Sequence, residues 1–108
     1  MASIASDIIR GHTDTIILRF LKERDSYGYE INRNIRRLTN DGYELNEATL
    51  YTAFRRLEAG GFISSYWGSE GSGARRRYYT ITDKGRQLYQ ENIKDWESSK
   101  NIIERLVK

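Results

Sequence analysis

The residues of this chain best suited to chemistry are arginines concentrated in its middle part. Between Arg24 and Asp83 every basic residue is an arginine: Arg33, Arg36, Arg37, Arg55, Arg56, Arg75, Arg76 and Arg77. The planar guanidinium fork pairs with phosphate oxygens and guanine edges better than a lysine ammonium does. The pattern is typical of a nucleic-acid-binding surface, and its alternative is an ordinary solvated charged surface.

The chain has little of the side-chain chemistry that enzymes and metal sites need. It contains no cysteine and a single histidine, His12, which excludes a disulfide, a thiolate site and a multi-histidine site within one chain. No glycine-rich phosphate loop opens a helix, and no carboxylate pair stands in a cleft-like context. We therefore expect no enzyme, no metal and no cofactor, and we interpret His12 as a surface or interface residue.

Length and charge set further bounds. The 108 residues form one domain with a modest core, and the net charge of +3 is weak evidence for a nucleic-acid partner by itself. No apolar run has the length of a membrane span, and the N-terminal sequence MASIASDIIRG lacks the layout of a secretion signal. We expect a cytoplasmic protein with no membrane partner.

Three helices are predicted in the first sixty residues. Apolar spacings of three, four and seven predict a helix from Asp7 to Arg24 and another from Tyr27 to Leu38, with Asp25-Ser26 offering a cap. A third runs from the N-cap Asn46 to about Ala59, and Gly60-Gly61 ends it. The residues expected to be buried are Ile9, Ile16, Ile17, Phe20 and Leu21 in the first, Ile31, Ile35 and Leu38 in the second, and Leu50, Ala53, Phe54 and Leu57 in the third.

A hairpin and a long helix are predicted after them. Phe62–Trp67 and Arg75–Ile81 are rich in β-formers, and the glycine-rich segment between them predicts a mobile tip. Because adjacent strand residues face opposite ways, at least one of Tyr78 and Tyr79 belongs to the core. A final helix of about 26 residues, about 39 Å long, starts at Thr82 or Asp83 and exceeds what the core can cover. Its apolar stripe needs a partner and contains Tyr89, Ile93, Trp96, Ile103, Leu106 and Val107.

This order of elements predicts a mainly α fold with a small β-hairpin: a winged helix-turn-helix plus a long C-terminal dimerisation helix. We expect residues 1–82 to form the DNA-binding domain and residues 83–108 to form the dimerisation helix. The third helix would enter the major groove while the wing reaches phosphates or the minor groove. The candidate DNA contacts are Asn46, Glu47, Ala48, Thr49, Tyr51, Thr52 and Arg55 on the helix and Gly73, Arg75, Arg76 and Arg77 on the wing.

Blocks of sequence along nearly the whole chain resemble one known family. They are Tyr29–Ile31, Leu45–Thr52, Phe54 with Arg56–Glu58, Ile63–Gly68, Arg75-Arg76 with Tyr78-Tyr79, Thr82 with Gly85, and Trp96. The chain is similar in them to the PadR transcriptional regulators, particularly the short, LmrR-like subgroup of multidrug-sensing repressors. The resemblance implies a homodimer, joined through the first and last helices, that binds an inverted repeat of double-stranded DNA.

The resemblance also implies a ligand site. In that subgroup a tryptophan from each C-terminal helix lines a pore at the dimer centre, and planar aromatic drugs stack between the two rings. Trp96 occupies that position, and the implied ligand site comprises Trp96, Ile8, Gly11, Thr15, Asn92, Ile93 and Lys100; Arg19 and Lys100 are bulky and cationic for a drug pore. The implied dimer interface comprises Ile9, Tyr89, Ile93, Trp96, Ile103, Leu106 and Val107. A large aromatic on an unpaired helix is also typical of an interface anchor, and both interpretations stay open.

Two classes of function follow. The first is a ligand-responsive repressor, and the second is a constitutive dimeric adaptor or ligand-binding module whose winged domain contacts protein rather than DNA. Replacing Arg75 and Arg76 with alanine would reduce DNA occupancy only in the first case.

Overall fold

The chain folds as three helices, a hairpin and a long helix, which confirms the predicted fold class. The computed structural model describes residues 8–69 and 75–108. The elements, in chain order, are α1 (Thr13–Glu23), α2 (Gly28–Leu38), α3 (Glu47–Ala59), β1 (Ile63–Ser69), β2 (Arg75–Ile81) and α4 (Asp83–Val107). The predicted mobile hairpin tip, with Gly71 and the candidate DNA contact Gly73, lies outside the described residues.

The first helix is shorter than predicted. Residues 8–10 form a helical turn, the chain turns at Gly11 and His12, and α1 begins only at Thr13. Glycine has a low helix propensity, and the Thr13 hydroxyl donates to the carbonyl of Arg10 over 2.9 Å, which competes with a continuous helix. The prediction of one helix from Asp7 to Arg24 is therefore wrong.

The second helix ends at Leu38 as predicted, but its cap and the burial of Leu38 differ from the prediction. Its N-cap is Tyr27, without a side-chain cap, so the predicted cap at Asp25-Ser26 is wrong. Ser26 instead pairs through its backbone with Tyr79 of β2 in an isolated bridge, which keeps this segment extended. At the other end Leu38 is 57% exposed and is not a core residue, because α2 ends there at the edge of an apolar groove.

The third helix starts and ends as predicted. Asn46 has an extended backbone, and its side-chain oxygen accepts a hydrogen bond from the Thr49 amide over 3.0 Å. At the other end the chain turns through Gly60 and Gly61, and Gly61 has a φ of +79°, a conformation that favours glycine. These two ends fix which residues of α3 face outward.

The core lies between α1, α2, α3 and the near half of the hairpin. Tyr79 is buried, and its ring stacks on Phe54 with centroids 3.9 Å apart, which confirms that one of the two adjacent tyrosines belongs to the core. Within residues 8–69 and 75–108, fourteen apolar residues form the core: Ile17, Leu18, Phe20, Leu21, Ile31, Ile35, Leu45, Leu50, Ala53, Phe54, Leu57, Ile63, Tyr79 and Ile81.

The last helix begins at a well-defined N-cap and extends away from the head, which is the part of the described chain before α4. The Thr82 hydroxyl accepts from the Gly85 amide over 3.0 Å, so Thr82 is the N-cap, and α4 continues for 25 residues. Gly85 is buried, and farther along Asn92 donates to the Thr15 hydroxyl of α1 over 2.9 Å. Beyond residue 100 every side chain is exposed, so the end of α4 has no cover within the described chain.

Candidate functional site

The outward face of α3 carries most of the predicted helix contacts. Glu47, Ala48, Thr52 and Arg55 are exposed, and Thr49 is half-buried. The Arg55 guanidinium donates to the Thr52 hydroxyl over 3.3 Å, which places a cation and a hydroxyl side by side. The Asn46 side-chain oxygen caps α3, and its amide NH2 is the group that can donate a further hydrogen bond.

Tyr51 projects from the same helix but is held by α2. The side chain is 42% exposed, and its ring meets Phe54 edge to face with centroids 5.7 Å apart. A Cβ on Gly28 would lie only 2.7 Å from the Tyr51 hydroxyl oxygen, so the glycine at the start of α2 makes room for this ring. The position of Tyr51 therefore depends on α2 as well as on α3.

Arg56 faces the other way and links α3 to α1. Its guanidinium forms two hydrogen bonds with the Asp14 carboxylate, one of them from Nε over 3.4 Å. The hydrogen bond with Asp14 raises the pKa of Arg56. Because the two residues are 42 positions apart, no local pattern in the sequence indicates this pair.

The register of the hairpin separates the three wing arginines. Trp67 lies opposite Arg77, and Arg75 is two residues away on the same strand, so these three side chains share one face. Arg76 lies on the opposite face, with its guanidinium carbon 4.7 Å from the centre of the Tyr27 ring. The wing therefore presents arginines on both of its faces.

Polar contacts hold the base of the wing to the helices. Ser65 donates to Glu58 of α3 over 2.6 Å, and Arg77 lies 3.7 Å from the same carboxylate. On the other face the Tyr66 hydroxyl donates to Asp25 over 2.6 Å, and this hydrogen bond raises the pKa of Tyr66. The direction of the arginine-bearing strand relative to α3 is thus set by both faces.

A buried carboxylate fixes the segment between α1 and α2. Glu30 is 8% exposed and accepts hydrogen bonds from Ser26 and from Arg24, each over 2.6 Å. Since Ser26 also pairs with Tyr79, this network ties the α1–α2 connection to the wing. Glu30 and Glu58 were not predicted as site residues, although both lie in the blocks that carry the family resemblance.

An apolar groove of about 460 Å³ lies between α1, the end of α2 and α4. Four of the predicted ligand-site residues line the groove together with Arg19: Ile8, Thr15, Ile93 and Trp96. The other three, Gly11, Asn92 and Lys100, do not line it. Asn92 is bonded to Thr15, and the Lys100 ammonium lies 5.9 Å from the centre of the Trp96 ring. His12 also lines the groove and meets the Trp96 ring edge-on, with centroids 5.1 Å apart.

The predicted dimer residues fall into two groups along this side of the molecule. Ile9, Tyr89, Ile93 and Trp96 line the groove. Ile103, Leu106 and Val107, at the end of α4, are 54%, 78% and 72% exposed. Together they form an apolar face that runs from the groove to the end of the helix.

Two other kinds of site are not found in the part of the chain that the structure describes. Residues 8–69 and 75–108 contain no group of three or more histidine, aspartate or glutamate side chains placed to hold a metal ion. No helix within the same ranges is long and apolar enough to cross a membrane.

Comparison with known proteins identifies the family. Residues 17–91 match the model of the transcriptional regulator PadR-like family. A transcriptional regulator from Clostridium thermocellum has a structure with a TM-score of 0.88 and 51% identity, over 95% of this chain and 100% of that one. A PadR family transcription regulator from Clostridium difficile gives a TM-score of 0.77 and 32% identity, over 90% and 99%.

A curated relative, an uncharacterised protein from Lysinibacillus sphaericus, is 46% identical over 101 residues, which are 94% of this chain and 93% of that protein. The family match extends over most of the chain, and the structural relatives have the same succession of elements. The chain therefore belongs to the PadR-like family of transcriptional regulators, which are DNA-binding proteins and not enzymes, as its sequence predicted.

Proposed function

We propose that this protein is a repressor that binds an inverted-repeat operator as a homodimer and is released by a planar aromatic ligand. The observation that carries the DNA-binding part is the exposed, polar start of α3 beside an arginine-bearing wing. A helix with small and polar residues at its N-terminal end fits the major groove, while arginines on a neighbouring hairpin reach phosphates. Such a regulator works in the cytoplasm, together with the DNA.

The hydrogen bonds and ion pairs within the head suggest that some of the predicted residues bind DNA and that others hold α3 in place. Ala48, Thr52 and Arg55 are exposed on α3 and are the proposed base-reading and phosphate-binding residues, with Glu47 and Thr49 beside them. Asn46 and Tyr51 contribute mainly by holding α3 in place. On the wing, Arg75 is a proposed phosphate contact with more of its charge available than Arg77, which lies beside the Glu58 carboxylate, and Arg76 is a proposed contact on the opposite face. Gly73 lies outside the described residues, so its contact with DNA stays a prediction.

The proposed dimer rests on the uncovered apolar face of α4. Leaving Ile103, Leu106 and Val107 in water is unfavourable, and pairing with a second copy would bury them. The groove at the other end of this face supplies Ile9, Tyr89 and Ile93 as further contacts. Sedimentation of Ile103→Glu with Leu106→Glu would yield monomers where the wild type sediments as a dimer. A wild-type monomer at working concentration would contradict the dimer.

The proposed ligand site is the Trp96 end of the groove. Its volume, about 460 Å³ in one subunit, falls within the range of roughly 300–1,000 Å³ usual for small-molecule sites. Trp96 is 38% exposed and so offers part of its ring to a stacking partner. Such a ligand releases DNA only if it favours one spacing of the two heads, since equal affinity for both states shifts nothing.

Tryptophan fluorescence tests the ligand site. Planar aromatic compounds are titrated against the wild type and Trp96→Ala, in which Trp67 is the remaining tryptophan. We expect binding to weaken in the variant. Equal binding by both proteins would exclude Trp96 as the stacking platform and would leave it an interface anchor.

Salt dependence tests the DNA-binding function. The logarithm of the affinity for a duplex falls linearly with the logarithm of salt concentration, and the slope has a magnitude of about 0.9 per neutralised phosphate. Arg75→Ala with Arg76→Ala should therefore lower the slope by roughly two per subunit if each arginine neutralises one phosphate. The control is Arg105→Ala, in the last turn of α4 and away from the head, which should bind like the wild type. Affinity that does not change with salt would favour the adaptor function instead.

A further inference from the structure

Trp67 is an exposed aromatic side chain of the wing to which the proposed DNA contacts assign no role. It is 53% exposed, although tryptophan is the largest side chain and exposing it to water is unfavourable. The rings beside it along the hairpin are engaged differently: Tyr66 and Tyr78 stack on each other on the opposite face, and Tyr79 is in the core. The position of Trp67 therefore needs an explanation outside the core.

Two guanidinium groups lie against the Trp67 ring. The Arg75 and Arg77 carbons are 5.1 Å and 5.5 Å from the ring centre. The register explains this arrangement, because Trp67 is paired directly with Arg77 and Arg75 is the next residue of β2 on the same face. Tryptophan is the strongest aromatic partner for a cation, so the ring restricts both side chains.

The two arginines differ in how much of their charge is compensated. Arg77 lies 3.7 Å from Glu58. Arg75 is exposed and makes no ion pair with any residue that the structure describes. Of the pair, Arg75 therefore has the charge available to a phosphate, and its main contact is the indole ring.

We propose that Trp67 is a positioning residue for DNA binding, whose ring holds Arg75, at the outer end of β2 opposite Ser69, in the orientation that meets a phosphate. This inference rests on the proposed function. An arginine that is free to rotate loses much side-chain entropy when it orders on a phosphate. A ring that already restricts the side chain reduces this loss, so the phosphate contact becomes tighter.

The test is a double-mutant cycle on DNA affinity. The probe is a fluorescein-labelled duplex of mixed sequence and about 30 base pairs, roughly three helical turns, which requires no knowledge of the operator. Affinity is measured by anisotropy over a range of salt concentrations for the wild type, Trp67→Leu, Trp67→Phe, Arg75→Ala, and Trp67→Leu with Arg75→Ala. Circular dichroism melts show which variants are folded.

We expect Trp67→Leu to weaken binding by roughly two- to fivefold, the size of one exposed cation–π contact, and to lower the salt slope toward that of Arg75→Ala. Trp67→Phe, which keeps an aromatic face, should recover part of the loss. The double variant should bind no more weakly than Arg75→Ala, because Trp67 acts through that arginine.

Other results would overturn the inference. Additive losses in the double variant, or an unchanged affinity and slope in Trp67→Leu, would show that Trp67 does not act through Arg75. If Trp67→Leu does not fold, Trp67→Phe is the variant that decides. Full wild-type affinity and salt slope in Trp67→Phe would show that the position requires only an aromatic ring. The wild type alone tests the proposed function: if it shows no salt-dependent binding to the duplex, that function fails whatever the variants do.

Discussion

Replacing Gly85 with alanine should separate α4 from the head. Gly85 is buried in the first turn of α4, against the turn that ends α3 and the end of β2. A Cβ atom there would overlap the carbonyl oxygen of Phe62 and lie 2.8 Å from Cγ1 of Ile81, whereas ordinary contacts begin at 3.4 Å. The added methyl group therefore meets backbone, which cannot rotate away as a flexible side chain can.

The expected cost follows from this geometry. Overpacking a close contact costs typically about 1–3 kcal/mol, and a clash with backbone belongs at the upper end of that range. A loss of about 3 kcal/mol corresponds to a fall in melting temperature of roughly 12–24 °C for a domain of this size. Gly61→Ala is the matched control, since its Cβ would make only ordinary contacts, 3.9 Å from the Lys84 side chain, and only the φ of +79° is unfavourable, at about 1 kcal/mol.

Thermal melts at equal protein concentration measure both variants, because the proposed dimerisation would make the melting temperature depend on concentration. We expect the wild type to have the highest melting temperature, Gly61→Ala a lower one, and Gly85→Ala one well below both. If Gly85→Ala melted within about 2 °C of the wild type, the loss would be under roughly 0.5 kcal/mol, and the close approach of α4 to Phe62 could not be as described.

Three further predictions concern single contacts. Asn46→Ala should lower the free energy of unfolding, measured with urea, by about 1 kcal/mol, because the Thr49 amide loses its acceptor. Asn46→Ser should retain most of this stability. Asp14→Ala should cost about 0.2–1 kcal/mol, and a double-mutant cycle with Arg56→Ala should show that the losses are not additive. Burial raises the pKa of Tyr79 above about 10, so its stabilising contribution is complete below that pH and is lost as pH rises through the raised value; alkaline melts of Tyr79→Phe should show a smaller decline.

The features predicted correctly from the sequence depend on neighbouring residues. The start of α3 follows from Asn46 and its end from Gly60-Gly61, and both are local rules of capping and backbone conformation. The burial of Leu50, Phe54 and Leu57 follows from helical spacing alone. This is why the outward face of α3, which supplies the candidate DNA contacts, could be predicted residue by residue.

The features that were missed or wrong depend on contacts between distant parts of the chain. Ser26 looks like a helix cap locally, but pairing with Tyr79, 53 residues later, keeps it extended and moves the start of α2 to Gly28. Leu38 continues an apolar stripe, yet the stripe runs past the end of the core to the rim of the groove. Periodicity indicates which side of a helix is apolar but not how far along that side the core extends.

The arginines show the same limit in the candidate site itself. Composition supplies eight of them in the middle of the chain, all equally suited to phosphate. Among the residues that the structure describes, at least four of these arginines lie close to carboxylates: Arg33 to Glu30, Arg36 to Glu44, Arg56 to Asp14 and Arg77 to Glu58. An arginine paired in this way must give up or share its partner before it binds a phosphate, so it adds less to DNA affinity than an unpaired one. The strength of the phosphate contact is thus decided by where the fold places its acids, and sequence composition does not contain that information.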